Sequence, residues 1–181
     1  SSDLTVFPQA IGLAASFDKS LLFKVADVTA TEARAKHHAA LKRGYHGMFY
    51  GLTMWSPNIN LYRDPRWGRG HETYGEDPFL SGELAVAFIK GLQGDHETYL
   101  KLVATPKHFA VHSGPEELRH CLDTAVSEQD LWESYLPHFE RSIIEGGAVS
   151  IMTAYTSCNG LPCSRNSRLL HNILRDKWGF Q

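Results

Sequence analysis

Apolar positions along the chain alternate between stripes at helical spacing and short continuous runs. Over residues 18–41, Leu21, Leu22, Val25, Val28, Ala35 and Ala39 recur near helical spacing behind the capping Asp18, with Glu32 interrupting the stripe. Residues 52–55 form a short apolar run that predicts a buried strand, ending in the turn signal Ser56-Pro57-Asn58. Asp77 and Pro78 then predict a helix start, and Phe79, Leu80, Leu84, Phe88 and Leu92 carry its stripe to the stop signals Gly91 and Gly94. A second strand is predicted over 102–105. The box Ser127-Glu128-Gln129-Asp130 opens a third helix, whose Leu131, Tyr135, Phe139 and Ile143 hold phase to Gly146-Gly147. A third apolar run spans 148–153, and a last helix over 167–178 carries Leu169, Leu170, Ile173 and Leu174 before Gly179.

Strand and helix alternate throughout, which predicts βαβ units, a mostly parallel sheet and polar residues on the loops that come after the strands. Ligands of such folds bind at the carboxyl ends of the strands. Arg69, Lys107, His108, Arg119 and Tyr155 all fall after a predicted strand and could converge on one mouth. The loop over 63–78, RDPRWGRGHETYGEDP, is long and rich in arginine, with Trp67 read as exposed; a loop of that kind lines a ligand site more often than it merely connects. Three or four βα units are fewer than the eight of a closed barrel, so the expected class is α/β, a partial (β/α)8 TIM-like barrel.

Composition narrows the function. The 181 residues, 43% hydrophobic and 21% charged, suit an ordinary globular domain, and a net charge of −2 gives no basic face for nucleic acid or an anionic membrane. No apolar run approaches the roughly 20 residues that span a bilayer, and Ser1-Ser2-Asp3-Leu4 lacks the charged and apolar regions of a signal peptide. Cys121, Cys158 and Cys163 fit no zinc spacing; Cys158 and Cys163 could close a small loop, but free thiols packed as small apolar groups are the commoner state.

Arg69, Lys107 and Arg119 supply donors only, whereas His108 donates or accepts according to tautomer. With Trp67 or Tyr155 as an apolar platform, the set suits a pyranose, which offers one apolar face and a rim of hydroxyls. Solvated or salt-bridged surface groups are the competing reading for each cation. Ten histidines raise a metal alternative through His108 and His112, or His37, His38 and His46, but no H-E-x-x-H helix is present. Nucleotide-binding glycine motifs and the G-x-S-x-G elbow are also absent.

Several long segments, in order, closely resemble glycoside hydrolase family 3, the exo-acting β-glucosidases and β-xylosidases. They are TVFPQAIGLAASFD, WSPNINLYRDPRWGRGHETYGEDPFLSG, ATPKHFAVHSGPEELRH, IMTAYTSCNGLPCS and LLHNILRDKWGFQ. The resemblance implies that residues 1–181 are an internal part of the family's N-terminal barrel domain, with the second α/β sandwich domain absent. It implies contacts from Arg69, Lys107, His108, Arg119 and Tyr155 to the hydroxyls of a nonreducing sugar. The implied substrate is an oligosaccharide or an aryl or alkyl β-glycoside, with no cofactor, no nucleic acid and no membrane partner. A periplasmic or secreted location is implied over a cytoplasmic one.

Retaining hydrolysis uses two carboxyl groups roughly 5 Å apart. The family's nucleophilic Asp comes just after the Gly-Phe segment, which here closes at Gly179-Phe180-Gln181, and its acid/base Glu lies later still. The expectation is therefore a chain truncated at both ends, without catalytic residues of its own and inactive alone. Glu72, Glu76 and Asp77, and likewise Asp123, Glu128 and Asp130, are read as helix-flanking groups accounted for by capping and the helix dipole. The alternatives are a noncatalytic sugar-binding module and a metal-dependent barrel hydrolase.

Overall fold

The computed structural model describes residues 4–181, so the reading of Ser1-Ser2-Asp3 lies outside the described residues. After the short α1 (Ala10–Ala14), α2 runs Lys19–Lys42, started by Asp18, whose carboxylate accepts from Ser20 N at 2.8 Å and Leu21 N at 3.1 Å. Helix α3 (Pro78–Gln93) starts on Asp77, which accepts from Phe79 N at 2.8 Å, and Pro78 occupies a position where no amide donor is missed. Both caps are those the sequence predicts.

The buried face of α2 is only partly the predicted one, sharing Leu22 and Val25 with it. Leu22, Val25, Ala26 and Ala30 are buried, whereas Leu21, Val28, Ala35 and Ala39 face outward. Close approach to α3 decides this, because small side chains at the crossing permit a separation that the larger ones would prevent. A Cβ at Gly91 would stand 2.7 Å from the Ala26 Cβ and run into the Phe23 carbonyl.

Ser127 accepts from Asp130 N at 3.0 Å and donates its hydroxyl to Asp130 Oδ2 at 2.7 Å, opening α4 (Glu128–Asp130). The single helix predicted from there to Gly146 is interrupted. Pro137 has no N–H to continue the ladder, so residues Leu131–Tyr135 wind as a π-helix, with Leu136 N bonding Leu131 O, before α5 (Pro137–Ile144) begins. The last helix, Arg168–Lys177, is also π-wound and buries Leu169, Ile173 and Leu174. Phe109 sits at the centre of the core, edge-on to Phe139 at 5.2 Å and Trp178 at 5.8 Å between ring centroids.

Strand β1 (Thr53–Met54) pairs in parallel with β2 (Val103–Ala104). Pairing continues beyond them through Thr105 N to Ser56 O, Lys107 N to Pro57 O and Ile59 N to Lys107 O. On its other side β3 (Lys107–Phe109) pairs in parallel with β5 (Met152–Thr153). Three neighbouring parallel segments thus run 53–59, 103–109 and 152–154, with α3 packed against both α2 and α5. This is the expected α/β arrangement; no closed barrel forms among the described residues.

A smaller sheet lies outside the predicted strands. Here β4 (Asp123–Thr124) pairs in parallel with β6 (Ser157–Cys158), which pairs antiparallel with β7 (Leu161–Pro162). Two-residue strands are too short for alternation to reveal. Asp123 therefore belongs to a strand, accepting from Gly160 N at 3.0 Å, and does not flank a helix. Cys158 and Cys163 are free and buried, and burial pushes the Cys158 thiol up to about 11.

Replacing glycine by alanine inside a helix ordinarily stabilises by about 1 kcal/mol. At the α2–α3 crossing the sign reverses: Gly91→Ala is expected to cost about 2 kcal/mol in urea unfolding. A more stable variant would refute the crossing. His138, on α5, is buried with its Nδ1 unpartnered, and burial holds its pKa down to about 3. The unfolded chain, with an ordinary histidine pKa of about 6.5, therefore binds the extra proton, so this contribution is complete above pH 6.5 and is lost as pH falls toward 3. His138→Leu should flatten the pH slope of unfolding free energy by about 1.4 kcal/mol per unit between about pH 4 and 6. Parallel slopes in the two proteins would contradict a neutral buried His138.

Candidate functional site

The carboxyl ends of the three parallel segments open on a cleft of about 710 Å³. Arg69, Lys107, His108, Arg119 and Tyr155, predicted from four separate stretches of sequence, all line it. Arg69 immediately precedes the turn Gly70–Glu72 in the loop after β1, Lys107 and His108 come from β3, Arg119 from the loop after β3, and Tyr155 from just beyond β5. Tyr155 is 58% exposed, with its ring centroid 4.9 Å from that of His120. Trp55, at the end of β1 and 59% exposed, also borders the cleft.

Trp67 is not the exposed platform that the sequence suggests. It is 2% exposed, edge-on to Tyr62 at 6.4 Å and to His112 at 5.8 Å. The indole is the largest apolar group on its loop, and packing it inward anchors an otherwise polar segment. The aromatic surface open to a ligand belongs to Trp55 and Tyr155.

Glu72 likewise does not act as a helix-flanking acid. It lines the cleft, where Arg69 grips it bidentately, Nε to Oε1 at 2.8 Å and Nη2 to Oε2 at 2.7 Å. Asn58 Nδ2 lies 3.4 Å from the same Oε2. These hydrogen bonds, those from Arg69 foremost, hold the Glu72 carboxyl down at about 2, against the opposing effect of burial. The second cleft arginine, Arg119, pairs with Glu116 at 2.7 Å. Lys107 is pulled below the ordinary lysine range by burial and then by the Arg69 charge.

Asn60 completes the arrangement, a residue that the sequence pattern does not single out. It is 2% exposed; its Nδ2 donates to His108 O at 2.9 Å and Ala110 O at 3.4 Å, and its Oδ1 accepts from His108 N at 2.8 Å. His108 Nδ1 is 2.9 Å from the same Oδ1, and His108 Nε2 is 3.4 Å from Arg69 Nη1. Burial foremost, then His112 and Arg69, pushes the His108 pKa down to about 3. His112, its ring 4.8 Å from His108, is held at about 4 by burial and Arg69, and neither of its nitrogens has a partner. The usable signal for Asn58 and Asn60 is their period-two spacing around Ile59 directly after β1, which places both on one side of an extended segment. Among the described residues, no three His, Cys, Asp or Glu side chains converge as a metal site, and no helix is long and apolar enough to cross a membrane.

The site is therefore a half-open cleft of fixed donors, one buried imidazole and two exposed rings. The sequence model described as "Glycosyl hydrolase family 3 N terminal domain" matches residues 1–181. A "Xylan 1,4-beta-xylosidase" of Xylanibacter ruminicola is 46% identical over 99% of this chain and 21% of its own length, and a "Beta-xylosidase/alpha-L-arabinofuranosidase 2" of Medicago sativa is 41% identical over 96% and 22%. The chain thus spans about a fifth of these relatives. Among solved structures, a GH3 exo-beta-xylosidase (XlnD), in complex with a xylobiose aziridine activity-based probe, superposes with a TM-score of 0.87 at 35% identity, covering 98% of this chain and 23% of its own. Beta-glucosidase 3B from Thermotoga neapolitana, in complex with alpha-D-glucose, gives 0.83 at 36% identity over 97% and 22%. Family model, relatives and solved structures agree: the chain belongs to glycosyl hydrolase family 3 and matches its N-terminal domain.

Proposed function

We propose that this chain forms the sugar-binding wall of a retaining exo-β-glycosidase that removes β-D-glucosyl or β-D-xylosyl units from the nonreducing ends of oligosaccharides. The observation that carries the reading is the convergence of Arg69, Lys107, His108, Arg119 and Tyr155 on one cleft. Guanidinium and ammonium groups donate to the oxygen lone pairs of a sugar, and the exposed rings of Trp55 and Tyr155 suit its apolar face. Glu72 and Glu116 neutralise one arginine each. The cleft is left with little net charge, which favours a neutral polyhydroxy ligand over a polyanion. Names of the relatives, xylosidases and glucosidases alike, support the same substrate class.

Retention needs one carboxylate to attack the anomeric carbon and a second carboxyl to act as acid and then base. Among the described residues the carboxylate lining this cleft is Glu72, and both its oxygens are engaged by Arg69. A carboxylate so held, with its pKa at about 2, is a poor nucleophile and a poor proton donor. The chain contributes the glycone contacts, and on this reading it is inactive by itself.

The 181-residue chain is expected to release no nitrophenol from nitrophenyl β-glucoside or β-xyloside, while the full-length glycosidase that carries it hydrolyses at least one of them. In that enzyme Lys107→Ala should lower kcat/KM by about 10- to 100-fold, the loss of one charged hydrogen bond. Arg66→Ala, at an exposed ion pair with Asp64, should leave it unchanged. Turnover by the 181-residue chain would overturn the reading, and loss of activity to a chelator would favour a metal-dependent hydrolase.

A further inference from the structure

We infer that Asn60 is a positioning residue that locks His108 in the Nδ1-protonated tautomer, leaving Nε2 as a hydrogen-bond acceptor at the wall of the cleft. The groups around the Asn60 amide have fixed roles. Backbone carbonyls only accept, and two of them, His108 O and Ala110 O, lie against one terminal atom of the amide. A backbone N–H only donates, and that of His108 points at the other terminal atom, 2.8 Å away. The amide orientation is therefore fixed by the main chain, with the nitrogen toward the carbonyls and the oxygen toward His108. An amide oxygen cannot donate. The His108 Nδ1 at 2.9 Å from it must carry the hydrogen.

The opposite side of the ring gives the same answer independently. Nε2 faces Arg69 Nη1, a group that only donates, at 3.4 Å. A hydrogen on Nε2 would oppose that donor, whereas a lone pair accepts from it. The groups around the ring keep it neutral, so one nitrogen alone carries a hydrogen. Arg69, Lys107 and His112 disfavour the imidazolium, and Glu72 alone favours it while being tied to Arg69.

The consequence for recognition rests on the sugar-binding reading above. Arg69, Lys107 and Arg119 can only donate to a ligand. The Nε2 lone pair of His108, met among the described residues only by the long 3.4 Å contact from Arg69 Nη1, adds an acceptor among donors once a ligand hydroxyl takes the place of that contact. A bound hydroxyl beside it is held through its own hydrogen as well as through its oxygen. A ligand with an ether or fluorine at that position could satisfy the arginines but not the imidazole. Asn60 touches backbone and ring from beneath, lies outside the residues lining the cleft, and acts only through His108.

Long-range proton–nitrogen NMR of histidine-labelled protein, with His108 assigned through His108→Gln, reads the tautomer directly and needs no activity. The wild-type protein should show a neutral, Nδ1-protonated His108 at pH 6; an Nε2-protonated ring or an imidazolium there would overturn the inference. Asn60→Asp places a carboxylate against Nδ1 and should raise the His108 titration midpoint by at least one pH unit, and an unmoved midpoint would also overturn it. In the full-length glycosidase the ratio of wild-type to Asn60→Asp kcat/KM on nitrophenyl β-xyloside should grow as pH falls through the raised His108 midpoint, a pH dependence that a merely structural role would not produce; a ratio that stays constant through that midpoint would overturn the positioning role. Failure of the full-length protein to hydrolyse any glycoside would count against the proposed function, while the NMR result would still decide the role of Asn60.

Discussion

The cleft depends on a place where one side chain takes over from a β-ladder. Between segments 53–59 and 103–109 the backbone pairing ends at Ile59 N to Lys107 O, yet the next groups, the N–H and C=O of His108, remain buried. Buried main-chain groups without partners are costly, so something must meet them. Asn60 does so with a donor and an acceptor spaced like those of a peptide unit. Because the amide ends in a side chain, the two segments can part beyond this point. The cleft opens in the space they leave, and the contact that ends the ladder also orients the ring at its wall.

Electrostatics then decides what that opening can accept. Three cations within one partly buried cleft would repel each other and resist desolvation, and Lys107 registers the strain as a lowered pKa. Glu72 relieves it by binding Arg69 through two nitrogens, and Glu116 pairs with one nitrogen of Arg119. Each arginine keeps unengaged donors after its pairing, because a guanidinium has five. The result is a surface dense in hydrogen-bond donors yet modest in charge. Such a surface matches hydroxyl oxygens better than phosphates or carboxylates, which would have to compete with two resident carboxylates.

Much of this was legible in the sequence, for identifiable reasons. Helix starts at Asp18, Asp77 and Ser127 are local chemistry, set within three or four residues, and each capping side chain forms the predicted bond to the backbone. The five cleft residues were legible because they come after apolar runs, and parallel strands deliver their trailing loops to one edge. Tertiary facts were not. The buried face of α2 is set by Gly91 and Ala26 meeting across a crossing that neither helix encodes alone. Trp67 is inside because His112 and Tyr62 are there to receive it. Glu72 reads as a helix-flanking acid in sequence, five residues before Asp77, until the turn Gly70–Glu72 brings it onto Arg69 three residues earlier. Pro137 was visible, but an apolar stripe that stayed in phase across it concealed the π-helical turn that accommodates it.

Arg119 reaches the cleft by another route, and the route explains why two unrelated segments end up side by side. Its loop leaves β3 and has no regular neighbour until Leu122, whose carbonyl accepts from Ser157 N at 2.8 Å. That bond starts the β4–β6 pairing only two residues after Tyr155. The small sheet therefore closes the Arg119 loop against the end of β5, and His120 meets the Tyr155 ring at the join. Arg69 and His108 are fixed by buried contacts beneath the cleft, whereas Arg119 and Tyr155 are fixed by a short sheet at its rim. A ligand spanning both must match a separation set by two independent parts of the fold, so the pairing of β4 with β6 bears on its fit as directly as the side chains that would touch it.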